Sequence, residues 1–134
     1  MINKEQKGKI VYSDGEEIEN TFLELVQNFT EEEIHEKIKD DSRYLINNTF
    51  SPVRRNLLEW YPFRNECTIL EIGAGMGSLT KMLCEKAAHV TAVEMNEVRA
   101  EIIRTRCKDV SNLTVITNDV VTWETNEKFD YVVM

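Results

Sequence analysis

Residues 70–80 decide the fold, and they run Leu70-Glu71-Ile72-Gly73-Ala74-Gly75-Met76-Gly77-Ser78-Leu79-Thr80. An apolar run over 67–72 leads into the first glycine, and residues 78–87 carry apolar side chains at helical spacing. The pattern predicts a strand, a tight glycine turn and a helix. Glycines at such a junction let the backbone turn sharply and let a ligand approach the main chain. This loop is therefore the first candidate for a binding site.

Two nucleotide-binding glycine loops fit this stretch poorly. A P-loop ends in Gly-Lys-Ser/Thr, whereas Ser78 and Leu79 follow the third glycine here and the first lysine is Lys81. The dinucleotide fingerprint has glycine or alanine at its sixth position, and that position is Ser78. A P-loop is therefore excluded, and a nicotinamide-dependent oxidoreductase is disfavoured.

Strand-like and helix-like segments alternate after the loop. The runs 89–94, 113–117 and 129–134 are strand-like, and residues 97–107 carry apolar side chains on one helical face. Parallel strands need crossover connections, which are usually helices. The order therefore predicts an α/β, Rossmann-like fold, with a parallel sheet and helices on both faces.

An acidic, mainly helical leader, residues 1–50, is expected ahead of this alternating body. Residues 1–43 hold 12 acidic and 6 basic side chains, so they account for −6 of the net charge of −8. Apolar spacing predicts a helix over about 16–28. Thr30 and Glu33 have the form of a capping box, which predicts a second helix over about 31–40.

A third helix is predicted to begin at Ser51-Pro52, because serine is a common N-cap and proline suits the first helical position. Its apolar face would comprise Leu57, Leu58 and Trp60. Tyr44, Arg54 and Arg55 stand just before the first strand. We expect them to pack at the surface, and a reach into the glycine-loop site is the less favoured alternative.

Polar residues also follow the second and third strands. Glu94 ends the second strand, 21 residues after Gly73, where a carboxylate can accept hydrogen bonds from both hydroxyls of a ribose. Met95 beside it can pack against adenine, and Asn118-Asp119-Val120 can meet the exocyclic amine of adenine. Each alone also fits an ordinary helix cap or turn. Together, at the ends of successive strands, they predict a nucleoside site.

In these residues the chain resembles the class I S-adenosylmethionine-dependent methyltransferases. The resemblance covers residues 51–134 and implies that they form a cofactor-binding half-domain. The resemblance implies that Glu71 lies near the ammonium group of the cofactor, that Glu94 binds its ribose and that Asp119 lies beside its adenine. The implied cofactor is S-adenosyl-L-methionine, with S-adenosylhomocysteine as product, and no metal is implied. The expected cofactor-binding residues are Glu71, Gly73, Ala74, Gly75, Gly77, Glu94, Met95, Asn118, Asp119 and Val120.

Two subfamilies match further stretches. Residues 77–80 and 112–116 are similar to the ribosomal RNA adenine dimethyltransferases, although their upstream Gln-Asn-Phe-Leu signature is not found. Residues 51–54 and 56–63 resemble bacterial methyltransferases found with glycosyltransferases in surface-polysaccharide biosynthesis. Because the net charge of −8 disfavours an RNA-binding surface, the second subfamily is favoured. A small-molecule or saccharide acceptor is accordingly expected rather than nucleic acid.

The sheet of the resembled family has seven strands in the order 3-2-1-4-5-7-6, and this sequence supplies four. We therefore expect the cofactor half of the fold, with the last strands missing and the catalytic residues beyond Met134. The apolar edge of the fourth strand would be exposed and is expected to pair in a homodimer. A non-catalytic module that binds S-adenosylmethionine or a partner is the alternative.

Composition narrows the remaining classes. Hydrophobic residues make up 42% and charged residues 30% of 134, which is typical of a globular domain. No apolar run approaches the roughly 20 residues of a membrane-spanning helix, and the amino-terminal residues do not resemble a secretory signal. Cys67, Cys84 and Cys107 are widely spaced, so buried free thiols and a cytoplasmic location are expected.

Overall fold

The computed structural model describes residues 14–40 and 43–134. Its α-helices are α1 Glu16–Asn28, α2 Glu31–Ile38, α3 Tyr44–Phe50, α4 Thr80–Lys86 and α5 Glu97–Arg106, and a 3-10 helix covers Pro52–Leu57. The strands are β1 Thr68–Ile72, β2 His89–Glu94, β3 Leu113–Thr117 and β4 Tyr131–Val133. Within these residues no helix combines the length and the hydropathy needed to cross a bilayer.

The four strands form one parallel sheet in the order β3-β2-β1-β4. Ile69 in β1 is aligned with Val90 in β2 on one side and with Tyr131 in β4 on the other. This arrangement confirms the predicted α/β fold and the order of its first four strands. Because the strands are parallel, the loops after β1, β2 and β3 all lie at the same edge of the sheet.

The structure departs from the predicted helix at Ser51. Ser51 caps the start as predicted, since the Val53 N–H donates to its hydroxyl at 3.3 Å, but the element that follows is the six-residue 3-10 helix Pro52–Leu57 and not an α-helix. This helix ends at Leu57, so Leu58 and Trp60 lie beyond it and the three residues do not form one helical face. Trp60 is 72% exposed. The α3 segment contains Asn-Asn-Thr, which has low helix propensity.

The amino-terminal helices share a hydrophobic core with the sheet-forming part of the chain. The buried members of this core are Phe22, Ile34, Ile38, Ile46, Phe50, Met76 and Ile102. Met76 belongs to the glycine loop and Ile102 to α5, so the helices rest against the same segments that form the ligand-binding edge. The division into a leader, 1–50, and a half-domain, 51–134, stays a prediction.

A buried ion pair joins α1 to α5. The Arg99 Nε donates to Glu19 Oε1 at 2.9 Å, and both side chains are almost fully buried. Arg99 also donates to Asp14 at 2.6 Å, and the Asn96 side-chain amide donates to Glu19 at 3.1 Å. Such a pair is stable only while both partners remain, because a single buried charge is costly.

We expect Arg99→Met to lower the free energy of unfolding by about 3–5 kcal/mol, because it leaves the Glu19 carboxylate buried without its cation. The matched control is Lys39→Met, which removes an exposed pair with Glu36 and should change stability by less than about 1 kcal/mol. Urea denaturation of the parent and of each variant measures the two changes in the free energy of unfolding. Equal, small losses would show that the buried pair does not hold α1 in place.

Candidate functional site

The glycine loop after β1 has a backbone that requires glycine. Gly73, Gly75 and Gly77 have φ angles of 67°, 60° and 78°, in the left-handed region that side chains disfavour. The loop is attached to β2, since the Gly73 N–H donates to the Val93 carbonyl at 2.9 Å. Gly77 has a further reason to lack a side chain, because an added Cβ would lie 3.3 Å from Ile103 of α5.

Two cavities flank this loop, and they share Ile72, Gly73, Gly75 and Arg99. The first, here called the β1 cavity, has a volume of about 620 Å³ and lies among the loop, the 3-10 helix and the end of β4. The second, the β2–β3 cavity, has a volume of about 180 Å³ and lies between the loop and the residues after β2 and β3. A ligand in both would pass directly over the glycine backbone.

Nine of the ten residues predicted to bind cofactor line one of these cavities. Those of the β1 cavity are Glu71, Gly73, Ala74 and Gly75. Those of the β2–β3 cavity are Gly73, Gly75, Glu94, Met95, Asn118, Asp119 and Val120. Gly77 lines neither and packs against α5 instead. Their contact with a cofactor stays a prediction.

Glu71 is a buried carboxyl group in the β1 cavity. Its Oε2 accepts a hydrogen bond of 2.7 Å from the Thr80 hydroxyl at the start of α4. Burial raises the pKa of Glu71 from its ordinary value of 4.5 to about 7, because desolvation disfavours the charged form. Nothing in the sequence pattern indicated Thr80 as a partner of Glu71, although Thr80 lies in the first turn of the predicted helix 78–87.

Glu94 connects two loops at the edge of the sheet. Its Oε2 accepts from the Gly75 N–H at 2.8 Å, and its Oε1 accepts from the Asn96 N–H at 2.9 Å. Each carboxylate oxygen can accept more than one hydrogen bond. Glu94 can therefore hold the glycine loop in place and still accept a hydrogen bond from a ligand hydroxyl.

Asn96 and Asp119 also have the ordinary roles that the sequence allowed. The Asn96 side chain caps α5 by accepting from the Arg99 N–H at 3.2 Å. Asp119 Oδ1 accepts from the Val121 N–H at 2.9 Å and closes a turn after β3. These roles fix the backbone at the mouth of the β2–β3 cavity, which Asp119 still lines.

Other chemically reactive groups lie away from this edge or are unsuited to catalysis. Asp130 accepts from the Thr68 N–H at 2.9 Å and pairs with Arg64, at the opposite end of β1. The three cysteines are buried free thiols, and burial raises the pKa of Cys84 to about 12. Within 14–40 and 43–134, no group of His, Cys, Asp and Glu side chains is arranged to hold a metal ion.

A larger concavity, about 1090 Å³, is lined mainly by residues 123–127 and by neither the glycine loop nor Glu94. The two smaller cavities match the chemistry of S-adenosylmethionine better. Their combined size is that of a typical cofactor site. Glu71 offers a carboxyl group for an ammonium ion, and Glu94 and Asp119 offer acceptors for a nucleoside. The residues present therefore fit this cofactor.

Comparison with known proteins agrees with that fit. A family model described as ribosomal RNA adenine dimethylase matches residues 26–131. Ribosomal RNA small subunit methyltransferase A of Syntrophus aciditrophicus is 33% identical over 72 residues, covering 54% of this chain and 26% of the relative. A probable enzyme of the same name from Methanothermobacter thermautotrophicus is 40% identical over 68 residues, covering 51% and 24%. The chain thus spans about a quarter of the length of these relatives.

A solved structure, the 23S rRNA methyltransferase ErmE, is also similar. It has 28% sequence identity and a TM-score of 0.52, and the match covers 62% of this chain and 34% of that one. The similarity is again to an enzyme that methylates RNA.

These findings correct two expectations. The polysaccharide-associated subfamily is not supported, and the preference for a saccharide acceptor over nucleic acid is wrong, because the matched relatives are ribosomal RNA methyltransferases. Net charge misled here because it sums over the whole chain. The sum does not show where the charges lie, and −6 of the −8 falls in residues 1–43.

We expect Glu71→Gln to stabilise the protein at pH 8 and to have little effect at pH 4. The raised pKa means that the folded state holds the Glu71 proton more tightly than the unfolded state, so stability falls as the pH rises from about 4.5 through about 7. The difference between the pKa of Glu71 in the folded state and in the unfolded state corresponds to about 3 kcal/mol of stability at most. Glutamine keeps an oxygen for the Thr80 hydroxyl and removes the titration.

Thermal unfolding between pH 4 and pH 8 measures this effect, with the exposed Glu124→Gln as the control. A Glu71→Gln variant whose melting temperature follows the parental pH profile would contradict the raised pKa.

Proposed function

The chain belongs to the ribosomal RNA adenine dimethylase family of class I S-adenosylmethionine-dependent methyltransferases, and from this membership we propose that it binds S-adenosylmethionine over its glycine loop for methyl transfer to adenine in ribosomal RNA. Because it spans only about a quarter of its relatives, the acceptor is proposed on the strength of those relatives. The cofactor site is proposed on the chain's own residues.

The observation that carries the proposal is the placement of three carboxyl groups around one glycine loop. Glu71 stands in β1, Glu94 ends β2 and Asp119 follows β3, and all three line cavities that the loop separates. A zwitterionic amino acid joined to a nucleoside presents an ammonium group, a diol and an exocyclic amine. The three acids offer one hydrogen-bond acceptor for each of these donors.

Glu71 would bind the ammonium group in its ionised form. Its raised pKa means that the empty site near neutral pH holds part of this group protonated. A cation at the site stabilises the carboxylate and lowers that pKa, so cofactor binding releases a proton. Glu94 would accept from the ribose hydroxyls, and Asn118 and Asp119 would lie beside the adenine.

The cofactor supplies a methyl group already activated on a sulfonium, so the protein's contribution is binding, orientation and exclusion of water. The carboxyl end of β4, Val132–Met134, lines the β1 cavity beside Glu71. An acceptor base would approach from this side. This wall would hold the base with its amino nitrogen directed at the methyl group of the bound cofactor, and the proton lost from that nitrogen would pass to solvent.

We expect the 134-residue chain to bind S-adenosylhomocysteine in a calorimetric titration and to discriminate against NAD. Glu94→Gln should weaken binding by about tenfold or more, because an amide cannot accept from both backbone N–H groups and the ribose at once. Glu97→Gln, an exposed site three residues away, should leave affinity unchanged. Preferential binding of NAD would contradict the assignment of the cofactor.

In a protein that joins this chain to the acceptor-binding part of its relatives, we also expect transfer of a labelled methyl group from S-adenosylmethionine to small-subunit ribosomal RNA, with the label recovered as methylated adenine. At subsaturating S-adenosylmethionine, Glu94→Gln should slow the transfer by about tenfold or more, and Glu97→Gln should leave it unchanged. Label in a saccharide fraction with none in RNA would contradict the acceptor while leaving the cofactor assignment intact.

A further inference from the structure

Arg54 and Arg55 are neighbours in sequence but lie on different faces of the 3-10 helix. With three residues per turn, side chains three positions apart align, so Arg54 shares a face with Leu57. Both of these line the β1 cavity, together with the glycine loop and Glu71. Arg55 does not line it.

Arg55 forms ion pairs at the surface. Its guanidinium donates to Glu85 at 2.6 Å and to Glu59 at 2.9 Å. Two carboxylates therefore balance its charge, and all three side chains are partly exposed to water.

Arg54 has the opposite environment. Its Nε is buried and, within the part of the chain that the structure describes, has no hydrogen-bond partner. Buried N–H groups are almost always satisfied in folded proteins, and an orphan requires an explanation. An anion that enters the β1 cavity would supply the missing acceptor, and a carboxylate matches the guanidinium fork.

The charges around the β1 cavity also favour a ligand that carries a carboxylate. Two arginines line it, and Arg99 is already paired with Glu19 and Asp14. Arg54 forms no ion pair with any residue in 14–40 or 43–134, so no carboxylate of the described chain is in contact with its guanidinium. Glu71 provides the negative group on the side of the glycine loop. An α-amino acid has one group of each sign, which is the combination this cavity is built to receive.

We propose that Arg54 binds the α-carboxylate of the cofactor's amino-acid portion, opposite the ammonium group held by Glu71. This inference rests on the proposed function, because it assumes the same cofactor in the same cavity. It revises the sequence-based expectation that Arg54 packs at the surface. Arg54 is thus a binding residue supplied by the segment that precedes the sheet.

The test compares S-adenosylhomocysteine with its decarboxylated analogue, which keeps the adenosine, the sulfur and the amine. Calorimetric titration is carried out on the parent chain, on Arg54→Gln and on Arg55→Gln as the matched control. The parent should prefer S-adenosylhomocysteine by about tenfold. Arg54→Gln should lose that preference by losing affinity for S-adenosylhomocysteine alone, and Arg55→Gln should retain it.

Three results would overturn the proposal. The first is that the parent chain binds both ligands equally. The second is that Arg54→Gln keeps the preference for S-adenosylhomocysteine. The third is that Arg54→Gln weakens the binding of both ligands to the same degree, which would indicate a structural role. Weakened binding of RNA by Arg54→Gln, with the preference intact, would assign the guanidinium to a phosphate instead. A folded parent chain that binds neither ligand would overturn the proposed function itself, so the two failures are distinguishable.

Discussion

The carboxylate of Glu94 is the constraint on which the binding edge of the sheet depends. It accepts hydrogen bonds from Gly75 in the loop after β1 and from Asn96 in the turn after β2. Asn96 then caps α5 and donates to Glu19 of α1. Through these bonds one side chain fixes the glycine backbone, the start of α5 and the docking of the amino-terminal helix. Backbone donors that close a site need such acceptors.

Glu71 and Glu94 are both buried, but they differ in the number of hydrogen-bond donors that surround them. Glu94 accepts from two backbone N–H groups, which compensates for the water it has lost. Glu71 accepts from one hydroxyl, and its pKa rises to about 7. A carboxyl group left with too few donors beside an open cavity destabilises the empty protein and favours a cationic ligand. Strongly perturbed acids of this kind are concentrated at functional sites.

The sequence predicted the sheet well because β1 and β2 are buried and largely apolar, and because glycines mark the end of β1. The limits of β2 and β3 and of α1 were predicted to the residue, since hydrophobic periodicity is strongest there. It did not predict the Thr80–Glu71 bond, which depends on how α4 meets β1. The sequence also did not predict which face of its helix Arg54 occupies, because that face depends on the helix being 3-10 rather than α. The acceptor class was misjudged because net charge does not show where on the surface the charges lie.

The register of the sheet also sets an order in which the binding edge is assembled during folding. Ile69 is paired with Val90, 21 residues away, and Val90 with Leu113, 23 residues away, whereas Ile69 and Tyr131 are separated by 62 residues. Closing the longer loop loses more chain entropy, so β4 is expected to join last. The residues around Glu94 and Asp119 belong to the early part. The nucleoside half of the cleft is therefore formed first, and the wall beside Val132–Met134 completes it afterwards.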